Sequence, residues 1–192
     1  MAAESLWDMC KKDEPLLKKR IENSDERANI NAIKKIKEAM AETNDNGYGL
    51  AANQIGINAR ACYIKIPAQG DMPPFEIEFH NPSIISDRFM SKNAKIANQE
   101  WCFSLDKNDC YIVERYHRIK VQDDKNGITP LVGIAAYAAQ HEIDHLNGKL
   151  ISDVGKRRDV LLREAKKLIS NTPKNAQCTC GSGKKFKRCC GK

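Results

Sequence analysis

Apolar residues recur with two different periods along this chain. From Ser24 to Glu42 the positions Ile30, Ile33, Ile36 and Met40 fall at helical spacing, which predicts a helix with one buried stripe. Ser24 or Asp25 can cap its start, and Asn44-Asp45-Asn46-Gly47 ends it. The pattern then turns strand-like: Ala61 to Ile66, Phe75 to Asn81, Ile112 to Val113 and Arg118 to Gln122 read as short strands, the last closed by Asp124-Lys125-Asn126-Gly127. A second helix is expected over Val132 to Leu146, stopped by Asn147-Gly148. A third is expected over Asp153 to Ser170, with Val154, Leu161, Ala165 and Leu168 on one face and Lys and Arg on the other. Thr172-Pro173 marks a linker. The elements predict a mixed α+β body followed by a helical tail.

Composition narrows the class. The chain has 192 residues, 41% hydrophobic and 30% charged, enough for one core and a small appendage. No run approaches the roughly 18 apolar residues of a membrane helix. The first fourteen residues carry Glu4, Asp8, Asp13 and Glu14 and no apolar core, so they read as neither a signal nor a transit peptide, and a cytoplasmic address is expected. Charge is uneven. Residues 1–154 hold 20 Lys+Arg against 23 Asp+Glu, whereas residues 155–192 hold 12 against 2, a net of +10 in the tail. A concentrated basic segment fits a polyanionic partner, nucleic acid before membrane.

The sharpest chemical signal is His141-Glu142-Ile143-Asp144-His145 on the second predicted helix. Residues four apart lie about 40° apart around a helix axis, so both imidazoles can face one metal ion. Glu142, beside the first of them, can take a proton from activated water and return it to a leaving group. A hydrolytic site wants a third protein ligand and one open position. No His follows His145, but upstream Glu100-Trp101-Cys102-Phe103-Ser104 offers a thiolate just before a loop. His80 and His117 lack partners at metal spacing and read as ordinary histidines; Cys10, Cys62 and Cys110 read as packing residues. Ser104 reads as a loop residue whose hydroxyl satisfies backbone.

With that segment, the chain resembles the peptide deformylases. The family's motifs G-x-G-L-A-A-x-Q, E-G-C-L-S and H-E-x-D-H correspond in order to Gly47-Tyr48-Gly49-Leu50-Ala51-Ala52-Asn53-Gln54, Glu100 to Ser104, and His141 to His145. Asn81-Pro82, Val113-Glu114-Arg115 and the Leu146-Asn147-Gly148 continuation also agree, so the resemblance covers residues 12–155. It implies small antiparallel sheets around a central H-E-x-x-H helix, and removal of the formyl group from N-formylmethionyl nascent polypeptides. It implies Cys102, His141 and His145 as metal ligands, with iron(II) as the ion and nickel, cobalt or zinc able to substitute. Gln54 and the backbone N–H of Phe103 would stabilise the oxyanion, and Glu142 would move the proton. Gly47, Gly49, Leu50 and Trp101 would line an extended peptide, and Arg115 would either reach the substrate or brace the cleft.

Two positions depart from the family: Trp101 stands where Gly is usual and Phe103 where Leu is usual. A Trp beside the ligand raises the alternative of a closed cleft, and so of a binding module without turnover. Another metallopeptidase built on the same helix is the other alternative; it would not need Cys102.

The tail holds Cys178-x-Cys180, eight residues, then Cys189-Cys190, with Gly181-Ser182-Gly183 for a tight turn. Four thiolates can close a tetrahedral zinc site. The segment resembles the SEC-C motif, a zinc knuckle known at the end of the translocase motor ATPase, where it contacts a chaperone and the ribosome. The expected organisation is therefore a catalytic domain over 1–155, a basic helix and linker over 156–175, and a zinc knuckle over 176–192. Contact of the tail with ribosomal RNA or a chaperone is the partner it implies.

Overall fold

The structure, a computed structural model, describes residues 5–10, 14–43, 47–85 and 95–191. The expected turn at residues 44–46 lies outside them. The chain divides into two compact units, Met1–Gly155 and Lys156–Lys192.

In the first unit, two short helices, α1 (Leu6–Met9) and α2 (Glu14–Leu17), precede α3 (Glu26–Glu42). The cap of α3 is Asp25, whose carboxylate accepts the Ala28 N–H at 2.8 Å; the Ser24 hydroxyl is turned instead to the Arg60 N–H. Its buried face is Asn29, Ala32, Ile33, Ile36 and Ala39. The expected stripe is thus rotated: Ile30 is 52% exposed, because the alanines, lacking bulk, take the close contact with the sheet below.

Three small antiparallel sheets follow. β1 (Gly49–Ala51), β2 (Ala61–Ile66) and β3 (Phe75–His80) form one in that order. β4 (Ser83–Ile85), β7 (Arg118–Asp123) and β8 (Gly127–Val132) form the second in the order β4-β7-β8. β5 (Lys95–Glu100) and β6 (Tyr111–Tyr116) pair in the third. Sequence periodicity missed β1, β4, β5 and β8. β1 is three residues, all buried, and cannot alternate; β5 is polar along its length and held by pairing with β6. β8 contains Pro130, tolerated on an edge strand where one N–H need not bond.

Between the sheets runs α4 (Ile134–Leu146), carrying both histidines. Ala136, Ala139, Ile143 and Leu146 pack in one core cluster with Ile64, Phe79, Val121 and Leu131. A second cluster joins Leu6 of α1 and Cys10, which caps its end, to Ile33 and Ile36 of α3 and to Leu50. This is the α+β arrangement of small antiparallel sheets about a central helix. Buried Arg60 staples it, donating to the carbonyl oxygens of Ile21, Leu146 and Pro82 and to Asn147 Oδ1 at 2.8–3.1 Å.

The third expected helix is not continuous. A short helix α5 (Ile151–Val154) stops at Gly155, whose backbone is extended, and α6 begins only at Arg158 and runs to Asn171. A Cβ on Gly155 would lie 2.7 Å from Val113 Cγ2 and 2.8 Å from the Ile112 carbonyl oxygen. Close passage against β6 therefore breaks the helix. α6, in the second unit, buries none of its residues. Among the described residues no helix is long and apolar enough to cross a membrane.

Candidate active site

Residues four apart on α4 bring the His141 and His145 rings within 4.9 Å of each other, centroid to centroid. The chain leaving β5 carries Cys102 to them, with its Sγ 3.2 Å from His145 Nε2. One donor atom from each of the three residues lies within 4.8 Å of the others, and Cys102 and His145 are buried. One thiol and two imidazoles in this compass are the donor set of a three-ligand site with an open fourth position, so a divalent transition ion fits it.

A charged lattice holds these side chains. Glu100 Oε2 meets His141 Nδ1 at 2.9 Å, which turns the other ring nitrogen towards the cluster. Arg115 grips both oxygens of Glu100, at 2.8 and 3.0 Å, and also binds Asp144. Burial alone would raise the Glu100 carboxyl, but hydrogen bonds from His141 and Arg115 outweigh it and hold it at about 2. Arg115 thus braces the cleft from behind, the second of its two expected roles. Asn53 adds a tie that sequence reading missed, donating to the His145 carbonyl oxygen at 2.7 Å.

Glu142 is 4% exposed, and burial, only partly offset by His141, raises its carboxyl to about 7. Its Oε2 has no hydrogen-bond partner among the described residues. The side chain lies against Gly49, where a Cβ would come within 2.8 Å of Oε1. Gly47 is likewise filled from the other side, since a Cβ there would sit 2.4 Å from Phe103 Cε2. Both glycines thus make room for the protein's own side chains, and both also line the cleft.

Gln54 sits in a 3-10 turn, Ala52–Ile55, after β1. Its Oε1 accepts the Ala51 N–H at 2.8 Å and its Nε2 donates to Ser104 Oγ at 3.2 Å, so the amide is oriented with Nε2 towards the Cys102 loop. Ser104 therefore serves Gln54 rather than loop backbone alone. Leu50 is fully buried in the second core cluster; its side chain cannot line a peptide, which leaves only its main chain for that role. Trp101 is 49% exposed and stands on the wall of a cleft of about 550 Å³ bounded also by Gly49, Gln54, Tyr137 and Glu142. The cleft is open beside it. Trp7 of α1, which no motif marked, lines the same cleft and meets the Phe103 ring edge to face at 5.0 Å.

In the second unit, Cys178, Cys180, Cys189 and Cys190 converge, each sulfur within 4.8 Å of the others. Gly181 and Gly183 take φ of 79° and 72°, the left-handed turn between the cysteine pairs. The Cys178 N–H donates to the Lys184 carbonyl oxygen at 2.8 Å, and a 3-10 turn, Phe186–Arg188, returns the second pair. Hydrogen bonding from Ser182 lowers the Cys180 thiol to about 6, favouring the thiolate at that sulfur, whereas hydrogen bonds with the neighbouring thiols push Cys190 up. The remaining histidines and cysteines are elsewhere: His117 bonds the Tyr137 hydroxyl, His80 is buried at the end of β3 opposite Ala61, Cys10 and Cys62 are core, and Cys110 is half-buried.

The sequence matches the polypeptide deformylase family over residues 7–160 and the SEC-C motif over residues 175–192. A peptide deformylase of Staphylococcus epidermidis is 38% identical over 112 residues, 56% of this chain and 60% of that protein. The chain therefore spans about 60% of the length of the curated relatives that head the comparison. Against the peptide deformylase of Aquifex aeolicus the identity is 32% over 164 residues, covering 81% of this chain and 92% of the other. A crystal structure of the Acinetobacter baumannii class I type b enzyme with Met-Ala-Ser bound superposes with a TM-score of 0.63 at 27% identity, covering 75% of this chain and 94% of that one. With a family match across most of its length and a relative aligned nearly end to end, this chain belongs to the polypeptide deformylase family, a metal-dependent one.

Proposed function

We propose that the protein is a peptide deformylase, which hydrolyses the N-terminal formamide of formylmethionyl polypeptides to formate and a free amine. The observation that carries the reading is the convergence of Cys102, His141 and His145 beside a buried Glu142 and an oriented Gln54 at the wall of an open cleft. Family membership supports it, as does a relative crystallised with Met-Ala-Ser.

A divalent ion held by Cys102, His141 and His145 supplies Lewis acidity and makes water acidic enough to attack near neutral pH. Iron(II) is the ion we assign, with nickel, cobalt or zinc able to replace it. The chain's residues do the rest. Glu142 accepts the proton of the attacking water as oxygen bonds to the formyl carbon. Gln54 Nε2 and the Phe103 N–H donate to the carbonyl oxygen as it gains charge, a type of contact worth on the order of 10²- to 10³-fold in rate. Glu142 then delivers its proton to the nitrogen as the C–N bond breaks. Gly47, Gly49, the Leu50 main chain and Trp101 form the surface along which the peptide extends.

The knuckle is assigned zinc through its four cysteines. With α6 and its Arg158, Arg163, Lys166 and Lys167, it forms a basic module for docking at ribosomal RNA near the emerging chain, with a chaperone as the other partner. Binding to ribosomes should weaken steeply as salt rises; salt-insensitive binding would sink the docking idea.

The test of the enzymatic reading is formate release from formyl-Met-Ala-Ser by anaerobically purified, iron-loaded protein. Turnover is expected, and its loss in Glu142→Ala with metal retained. Metal-loaded wild-type protein without turnover would overturn the reading.

A further inference from the structure

The Phe103 ring is gripped from two sides. Trp7 meets it at 5.0 Å with the planes at 71°, the edge-to-face geometry that aromatic pairs favour. Against its Cε2–Cζ edge lies the Gly47 backbone, so close that a Cβ there would clash with both atoms. The ring therefore has little freedom, and neither does the loop that bears it.

Trp7 is itself fixed from below. Its helix is capped by Ser5, whose hydroxyl oxygen accepts the Asp8 N–H. Leu6 and Cys10, on either side of it, are fully buried in the cluster containing Ile33, Ile36 and Leu50, and Phe103 packs on that same cluster. Held this way is a short turn in which the Leu105 N–H bonds the Cys102 carbonyl oxygen at 3.0 Å. That turn carries Cys102, the Phe103 N–H and the Ser104 hydroxyl that receives Gln54.

We infer that Trp7 is a positioning residue: acting through the Phe103 ring, it fixes the Cys102–Ser104 turn and thereby the direction of the Phe103 N–H. The inference rests on the proposed function for what that N–H does. It also accounts for the departure from the family at Phe103, since a ring at this position can be clamped by an aromatic partner.

Trp7 lines the cleft, so a plain substrate contact is the competing role, and kinetics separate the two. Trp7→Ala is compared with Trp7→Phe in metal-loaded full-length protein, reading kcat, KM, bound metal, and hydrogen exchange at the amides of residues 103–105. Small misplacement of a catalytic group costs about 10²-fold, so in Trp7→Ala kcat should fall by about tenfold or more. KM and metal content should be unchanged and amide exchange in the turn faster. Trp7→Phe should restore both kcat and slow exchange. A rise in KM alone, wild-type exchange in Trp7→Ala, or equal losses in both variants would overturn the inference. If wild-type protein has no turnover, the proposed function has failed, and the exchange comparison alone decides whether Trp7 holds the turn. Should Trp7→Ala not melt cooperatively, Trp7→Leu takes its place under the same criteria.

Discussion

Gly49 and Glu142 are packed so tightly that a Cβ on Gly49 would lie 2.8 Å from Glu142 Oε1 and 2.9 Å from its Cγ. The contact holds the carboxylate to which we assign proton transfer from the β1 side, while α4 carries it from the other. Gly49→Ala must push Glu142 from its place. The expected result is a fall in kcat/KM on the order of 10²-fold with metal content unchanged, read by formate release and metal analysis. A wild-type rate would mean that Glu142 swings freely enough to do without this wall.

The same burial gives Glu142 a stability signature in protein stripped of metal. Its carboxyl lies at about 7 in the folded state against an ordinary 4.5, because burial penalises the charge. Between those values the folded state binds more protons than the unfolded one, so stability falls as pH rises through that window. Glu142→Gln has nothing to titrate. The difference in melting temperature between variant and wild type should therefore move in the variant's favour from pH 4.5 to 7 and then level off. Parallel melting curves across pH 4–8 would show that the carboxylate is solvated.

Arg115 is buried against Glu100 and Asp144. Removing it strands the Glu100 charge, and breaking a buried pair from one side costs about 3–5 kcal/mol. Glu100 would then orient His141 poorly, and loss of such a support weakens metal affinity about 10- to 100-fold. Arg115→Ala is thus expected to be less stable in urea and to lose metal at lower chelator concentration. Arg115→Lys should recover only part of either property, since an ammonium cannot bridge both oxygens as the guanidinium fork does. Full recovery by Lys would reduce the role to net charge.

How much of this was legible in the sequence depends on the reach of each interaction. α3, α4, β2 and β3 were readable because their patterns are local, and His141 and His145 because helical spacing alone brings them together. Ile30 misled the reading of α3, since the small Ala32 and Ala39 take the buried face for a reason of fit, not hydrophobicity. The break at Gly155 depends on how closely the chain passes Val113, which periodicity cannot register. Polar β5 is a strand by virtue of its pairing with β6. Cys102 was found through an ordered set of motifs, whereas Trp7 was not found at all: its partner Phe103 lies beyond α3 and five strands in sequence, and nothing near Trp7 marks it.

The cysteine knuckle is where the fold is expected to depend most on metal. In residues 176–191 only Cys178 and Phe186 are buried, and Phe186 packs so closely on Gly191 that a Cβ there would lie 2.7 Å from its ring. So small a core cannot offset the entropy of ordering the segment. Binding of structural zinc by such units supplies about 10–16 kcal/mol, far more than one phenylalanine. Removing the metal should therefore unfold this segment while the first unit keeps its own core. Trypsin is expected to cut rapidly at Lys184, Lys185 and Lys187 after chelation and slowly before it, with Cys180→Ser behaving as chelated protein throughout. Native mass spectrometry should show that variant one zinc short. Equal cleavage with and without chelator would mean that the knuckle is held by contacts of its own, and the four sulfurs would need another explanation.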